Sequence, residues 1–302
     1  MGTQWSVQLD APLSAQACTA LQADLQSAVD EVDEQMSTWN PTSALMRFNA
    51  VPVGDWVELP HHLLRVLQAG LSVSALSEGA FEMNIGDAVR AWGFCSDPIN
   101  LAAIKSASAA PRVPATQALL LDVSAGRARK LAPLALDLSG IAKGYGVDRL
   151  AETAIAHGIA HALCSIDGEV RAVGTRATGA PWTVGIDAPD SDIRGSHSVI
   201  ALENAAVATS GDYRHFLTIR KTRLSHTMDP ATRAPVVDAP ASVTVLGPSC
   251  MMADAMATAI MVRGIHRGTS FAQKHGISAL LLSRSGENRR IGLFRGPEQV
   301  SN

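Results

Sequence analysis

The chain has 302 residues, of which 47% are hydrophobic and 18% charged, with a formal net charge of −3. That is enough apolar chain to bury a large core and too much for a disordered polymer. The mild negative charge excludes a nucleic-acid binder that works through a basic face. No run reaches the roughly 18 apolar residues of a membrane helix, and the most apolar stretch, 253–262, contains Asp254.

The chain opens on alternating Trp5, Val7 and Leu9, which predicts a strand. No basic segment followed by an apolar run precedes it, so the sequence as written predicts a cytoplasmic protein. An upstream leader outside this sequence would make it periplasmic or tethered to the inner membrane. Residues 14–36 predict a helix, with Ser14 as its cap and Ala17, Leu21, Leu25, Ala28, Val29 and Val32 at three- and four-residue spacing. Asn40-Pro41 breaks that pattern, and 43–48 starts a second helical turn. A strong helix is predicted over 62–77, stopped by Gly79. Residues 80–93 are mixed around Gly86, and 98–114 reads as a small-residue connector. The runs 119–123 and 128–131 predict a hairpin around Ala125-Gly126. A short strand over 134–138 leads through Ser139-Gly140 into a helix that Gly158 stops.

The second half is richer in strands. Short apolar runs at 162–166, 170–173, 182–186, 198–202, 205–209, 216–220 and 242–246 are separated by Gly, Asp and Pro. A helix over 252–263, the segment 271–275 and a strand over 279–283 complete the pattern, with a polar tail from 285 to 302. Runs of strands interspersed with helices predict an α+β fold. No linker is long enough to divide it, so one domain is expected over 1–302.

Generic site motifs are absent. The four cysteines form no C-x-x-C pair, and His161 with Cys164 lacks a second ligand pair. There is no P-loop, no dinucleotide fingerprint, no H-E-x-x-H and no G-x-S-x-G. The segment 134–148 nevertheless carries a signal. A strand ends at Asp137, small residues turn, and a helix begins beside Lys143. Backbone N–H groups at a helix start hold phosphate, and a lysine adds a point charge. A capped helix with a surface lysine would use the same residues. Asp254 and Thr258 stand four apart on one helix face. Both are hard oxygen donors of the kind Mg²⁺ takes, and an Asp in an apolar helix needs a partner. An ordinary helix hydrogen bond would also serve. Two polar turns, 209–213 and 224–230, concentrate hydroxyls and acids and contain Asp212 and His226; turn chemistry alone accounts for both.

Seven blocks, in order, resemble the ApbE family, the FAD:protein FMN transferases. They are Met1-Gly-Thr3, the segment 36–49 with Trp39, and Glu78-Gly-Ala80-Phe81-Glu82 running on to Trp92-Gly-Phe94. Then come Asp137-Leu-Ser-Gly140-Ile-Ala-Lys143-Gly-Tyr145, Ala208-Thr-Ser-Gly-Asp212-Tyr213, Ser225-His226 with Asp229-Pro230, and Ala253-Asp254-Ala-Met-Ala-Thr258. Three places depart from the family pattern. Glu82 stands where Asp is usual, Ile166-Asp167-Gly168 replaces a Gly-Gly turn, and Arg233-Ala234 occupies the place of Thr-Gly.

The resemblance implies an α+β, ApbE-like fold of mixed or antiparallel sheets flanked by helices. It implies FAD as substrate and Mg²⁺ as cofactor. The reaction would move FMN onto a Ser or Thr hydroxyl of an acceptor redox protein, an electron-transfer flavoprotein subunit carrying a flavinylation motif, and release AMP. Asp254, Thr258 and the Gly140 carbonyl would hold the ion. Met1, Trp39, Ala80, Phe81, Glu82, Asp137, Lys143 and Thr227 would line the FAD site. His226 or Asp212 would act as base or orienting group. Two other readings share these residues: an Mg²⁺-dependent FAD pyrophosphatase giving FMN and AMP, and a non-catalytic FAD-binding protein.

Overall fold

The computed structural model describes residues 3–95, 98–110, 113–189, 196–211, 216–219, 222–237 and 239–295. The alternation at the start becomes β1 (Trp5–Leu9). The Ser14 hydroxyl then accepts from the Ala17 N–H at 3.2 Å and caps α1 (Ala15–Met36), which buries Leu21, Leu25, Ala28, Val29, Val32 and Met36. That spacing is one face of a helix. Ser43 caps α2 (Ala44–Ala50), and β2 (Trp56–Glu58) and α3 (His61–Leu76) follow. Next are α4 (Gly86–Ala91), α5 (Leu101–Ala109) and α6 (Ala115–Ala118). The expected hairpin forms as β3 (Leu119–Asp122) and β4 (Arg127–Lys130), with β2 on the outer side of β4.

After α7 (Ala142–Ala156) the chain lays down β5 (Ala162–Ile166), β6 (Glu169–Val173), β7 (Trp182–Asp187), β8 (Ser196–Leu202) and β9 (Ala206–Gly211). Two small ribbons come next, β10 (Phe216–Ile219) with β11 (Thr222–Ser225) and β12 (Met228–Asp229) with β13 (Ala234–Pro235). The chain continues through β14 (Ser242–Gly247), α8 (Cys250–Lys274), β15 (Ser278–Leu282) and β16 (Arg289–Ile291) to a 3-10 turn at Gly292–Arg295.

Seven strands make the main sheet, in the order β1-β5-β6-β9-β14-β15-β16, and each neighbouring pair is antiparallel. Helices α7 and α8 pack side by side on it, with α1 against α7 and α3 against α8. Tyr145, Ile141, Leu150, Ile166, Val243 and Ile260 meet in one buried cluster between them. Each fully buried side chain of this size contributes on the order of 1.5–3 kcal/mol. A single carboxylate ties the two helices together at their junction. Asp148 of α7 accepts from the Ser249 hydroxyl (2.8 Å) and from the Cys250 and Met251 N–H groups (3.0 Å each) at the start of α8. It also accepts from Arg171 of β6 at 2.6 Å. Those N–H groups have no partner inside the helix.

Four expectations change. Residues 134–138 are not a strand, because their partners are side chains and a turn. The Asn49 amide donates to the Leu136 carbonyl (2.9 Å) and accepts from its N–H (2.8 Å), and the Ala135 N–H donates to Asn84 Oδ1 (2.9 Å). The connector 98–114 contains α5, which Asn100 caps by accepting from the Ala103 N–H at 3.0 Å. Part of the expected tail belongs to the sheet, since β16 pairs with β15 from Ala279↔Ile291 to Leu281↔Arg289. The helix expected over 252–263 runs on to Lys274 across a kink at Gly264, whose φ of 73° is open to glycine.

Candidate active site

A cleft of about 560 Å³ opens where α7 and α8 face β7 and the turns after α3 and β11. That volume suits a ligand of cofactor size. All of the expected site residues that the structure describes line it: Trp39, Ala80, Phe81, Glu82, Asp137, Gly140, Lys143, His226, Thr227, Asp254 and Thr258. Met1 and Asp212 lie outside the described residues.

The α7–α8 side is built by close approach. A Cβ on Gly144 would fall 2.4 Å from the Cys250 carbonyl oxygen and 2.8 Å from the Asp254 Cβ. Only glycine lets α8 come this near, and the Gly144 N–H then donates to Asp254 Oδ2 at 3.0 Å. One turn further along α8, Thr258 sits against Gly140, where a Cβ would lie 2.9 Å from Oγ1. The Thr258 hydroxyl also shares a hydrogen bond of 3.2 Å with Ser210 of β9. Gly140, in the turn before α7, is thus brought together with Asp254 and Thr258 of α8.

Four N–H groups around the helix start are already taken. The Ser139 N–H donates to Asp137 Oδ1 (2.9 Å), Ile141 and Ala142 both donate to the Leu138 carbonyl (3.0 and 2.9 Å), and Gly144 is taken by Asp254. Lys143 is the cation that this wall presents. Its Nζ donates to Glu169 Oε1 at 2.7 Å and lies 3.7 Å from Asp167 Oδ2. Asp167 and Gly168 form the turn between β5 and β6. Asp167 has φ 50°, a left-handed conformation that Asp tolerates in Asp-Gly hairpin turns. Asp167 and Glu169 are site residues that the motifs did not single out; the only hint was the Ile166-Asp167-Gly168 departure from a double glycine.

Charge is unbalanced here. Burial pushes the Asp254 carboxyl above the ordinary range, against the pull of Lys143 and the Gly144 N–H. Burial does the same to Asp137, opposed by Ser139, and to Glu169, opposed by Lys143. Burial works against the Lys143 ammonium, yet Glu169, Asp254 and Asp167 together raise its pKa above that of an ordinary lysine. One lysine thus faces several crowded acids. The donors beside Asp254 are a hydroxyl and a main-chain turn, all hard oxygen, and no three His, Cys, Asp or Glu side chains are placed to hold a metal ion among the described residues. That set fits Mg²⁺, which binds through one or two carboxylates and fills its shell with other oxygens and substrate phosphates. It does not fit zinc, which seeks three or four nitrogen and sulfur ligands.

The facing side is looser. Trp39 is 60% exposed at the mouth. Phe81 is buried behind it, and its N–H donates to the Ser77 hydroxyl at 3.0 Å. Glu82 uses Oε1 to accept from the Asn84 N–H (2.7 Å) and the Ala115 N–H (3.1 Å), so one of its oxygens braces the wall. Thr227 is buried, with its N–H on Ser225 Oγ at 3.1 Å, and His226 beside it is half-buried. Val184, Gly185, Ile186 and Asp187 of β7 complete this side, and no sequence motif marked them.

The ApbE family profile matches residues 1–281. The chain is 33% identical over 288 residues to the FAD:protein FMN transferase of Vibrio cholerae, covering 94% of this chain and 86% of that protein. It is 30% identical over 293 residues to the FAD:protein FMN transferase of Klebsiella pneumoniae, covering 95% and 83%. The solved flavin transferase ApbE from Vibrio cholerae superposes with a TM-score of 0.84 at 31% identity, over 98% of this chain and 96% of that one. The apo flavinyl transferase ApbE of Pseudomonas stutzeri superposes with a TM-score of 0.81 at 30% identity, over 98% and 94%. With matches that run nearly end to end and a cleft lined by the residues of the shared blocks, the chain belongs to the ApbE family.

Proposed function

We propose that the protein transfers FMN from FAD to a Ser or Thr hydroxyl of an acceptor redox protein, with Mg²⁺ required and AMP released. The observation that carries this reading is the convergence of Gly140, Lys143, Asp254 and Thr258 on one wall of a single large cleft, opposite Trp39 and His226. Family membership supplies FAD and a protein acceptor, and the donor set supplies the choice of cation. Gly140, Asp254 and Thr258 would hold the ion, and Lys143 would meet the nucleotide's phosphates. Bound there, Mg²⁺ supplies neutralisation of the charge that develops on the diphosphate.

The acceptor oxygen attacks the FMN-side phosphorus. A new P–O bond forms, the bond to the AMP phosphate breaks, and AMP leaves with its charge. A phosphate monoester with a second pKa of about 6 is a good leaving group, so the protein's main task is positioning. Trp39 and Phe81 offer flat apolar faces for a flavin or adenine ring. His226 takes the hydroxyl proton. The acceptor is an electron-transfer flavoprotein subunit that presents a Ser or Thr in an exposed segment.

Mass spectrometry of a candidate acceptor after incubation with FAD and Mg²⁺ tests the reading. An FMN adduct that needs both is expected. Free FMN and AMP with no adduct would overturn it in favour of hydrolysis. Replacing His226 by alanine should slow transfer by about a hundredfold, within the usual span for a general base, and equal rates would remove His226 from that role.

A further inference from the structure

Glu169 stands out among the buried acids. Its side chain is 2% exposed, whereas the lysine it contacts is 32% exposed, so the ammonium is the more open end of a pair that lines the cleft. One oxygen accepts from Lys143 Nζ at 2.7 Å. The other, Oε2, is buried and has no hydrogen-bond partner. An arrangement of this kind is a poor stabiliser. Both groups lose water, and well-packed apolar residues in their place are often at least as stable. The half-satisfied carboxyl therefore calls for another explanation.

The mounting of Glu169 suggests one. It is the first residue of β6 and pairs with Ile166, the last residue of β5, across the Asp167-Gly168 turn. Its backbone is therefore fixed by the main sheet. Lys143 is different: its ammonium ends a flexible four-carbon stem with three rotatable donors. Glu169 engages one of those donors and leaves the lysine others to offer.

We propose that Glu169 is a positioning residue that fixes the Lys143 ammonium at a set point on the cleft wall, ready for the phosphates of the dinucleotide. This rests on the reading that the nucleotide binds in the cleft beside Lys143. Glu169 lines the same cleft, but one of its oxygens is held by Lys143 and the other is sealed from solvent, so it acts on the nucleotide through the lysine.

A double-mutant cycle read by FAD affinity tests it, with FAD titrated against the Mg²⁺-loaded protein and followed by flavin fluorescence. Glu169→Met keeps the volume and removes the acceptor, and should weaken FAD binding by about tenfold, the scale of one charge-assisted hydrogen bond. Glu169→Gln keeps an oxygen facing Nζ and should recover most of that loss. In a Lys143→Met background the Glu169→Met change should have no further effect, because the two act as a unit. A merely structural role would persist in that background, and a persistent effect overturns the proposal. So does Glu169→Met with unaltered FAD affinity while Lys143→Met is impaired. If Lys143→Met alone leaves FAD affinity unchanged, the nucleotide reading falls as well. Should Glu169→Met fail to fold, Glu169→Asp, which retains the charge on a shorter reach, takes its place, and FAD affinity equal to the parent's would overturn the proposal.

Discussion

The two sides of the cleft are made differently. On the α7–α8 side, glycines bring two helices into contact, Asp254 is 4% exposed and accepts from the Gly144 N–H, and Lys143 is held by Glu169. On the facing side, Trp39 is 60% exposed, β7 belongs to a two-stranded ribbon with β8 outside the main sheet, and the residues come from that strand and from turns. The first side is a fixed instrument for charge, set before any ligand arrives. The second sets one exposed indole among strand and turn residues. A transferase needs both, because it handles one constant nucleotide and a bulky protein acceptor.

Substitutions separate the two sides. The largest effect is expected from Asp254→Ala, which should abolish FMN transfer and weaken Mg²⁺-dependent FAD binding; undiminished transfer by that variant would break the contrast. Gly144→Ala comes next. Its new methyl would have to move the Cys250 carbonyl and Asp254, both within 2.8 Å of it. Overpacking of this kind costs about 1–3 kcal/mol, to be read from the urea midpoint, and a higher Mg²⁺ requirement should accompany it. Trp39→Ala lies on the open side and should leave the urea midpoint alone. It should raise the FAD concentration needed for half-saturation about three- to tenfold, from the roughly 0.5–1.5 kcal/mol of an aromatic contact.

The smallest expected effect is a slope with pH. Burial raises the carboxyls of Asp137 and Glu169, the latter to about 8. The folded chain then binds protons that the unfolded chain releases at ordinary carboxylate pKa values, so stability is greatest below about pH 4 for these groups and declines as pH rises through the raised values. In a metal chelator, thermal midpoints should drop between pH 5 and pH 9, and Glu169→Gln should flatten the drop. An unaltered slope in that variant would assign the effect to the other raised carboxyls, Asp137 and Asp254.

Much of the charged side was legible in the sequence because its residues sit on regular helices. Asp254 and Thr258 share a face by spacing, and Lys143 follows a visible strand-like run and glycine turn. The helices α1 and α3 were equally plain, since their apolar positions repeat at helical spacing. The segment 134–138 was misread for a physical reason. An extended apolar run looks the same whether a strand or the amides of Asn49 and Asn84 complete its hydrogen bonds. Glu169 carried no signal of its own, because a single acid at a strand start reads as solvated until the sheet shows that it is buried against a lysine. The β7 wall could not be found from motifs, since its residues contribute shape from an ordinary strand.

Asp148 closes the first turn of α8 from a neighbouring helix, and this has a bearing on turnover. It makes the lysine of one helix and the aspartate of the other parts of a single strut, whose internal spacing cannot breathe without exposing three capped groups at once. A nucleotide entering the cleft is measured against a fixed gauge.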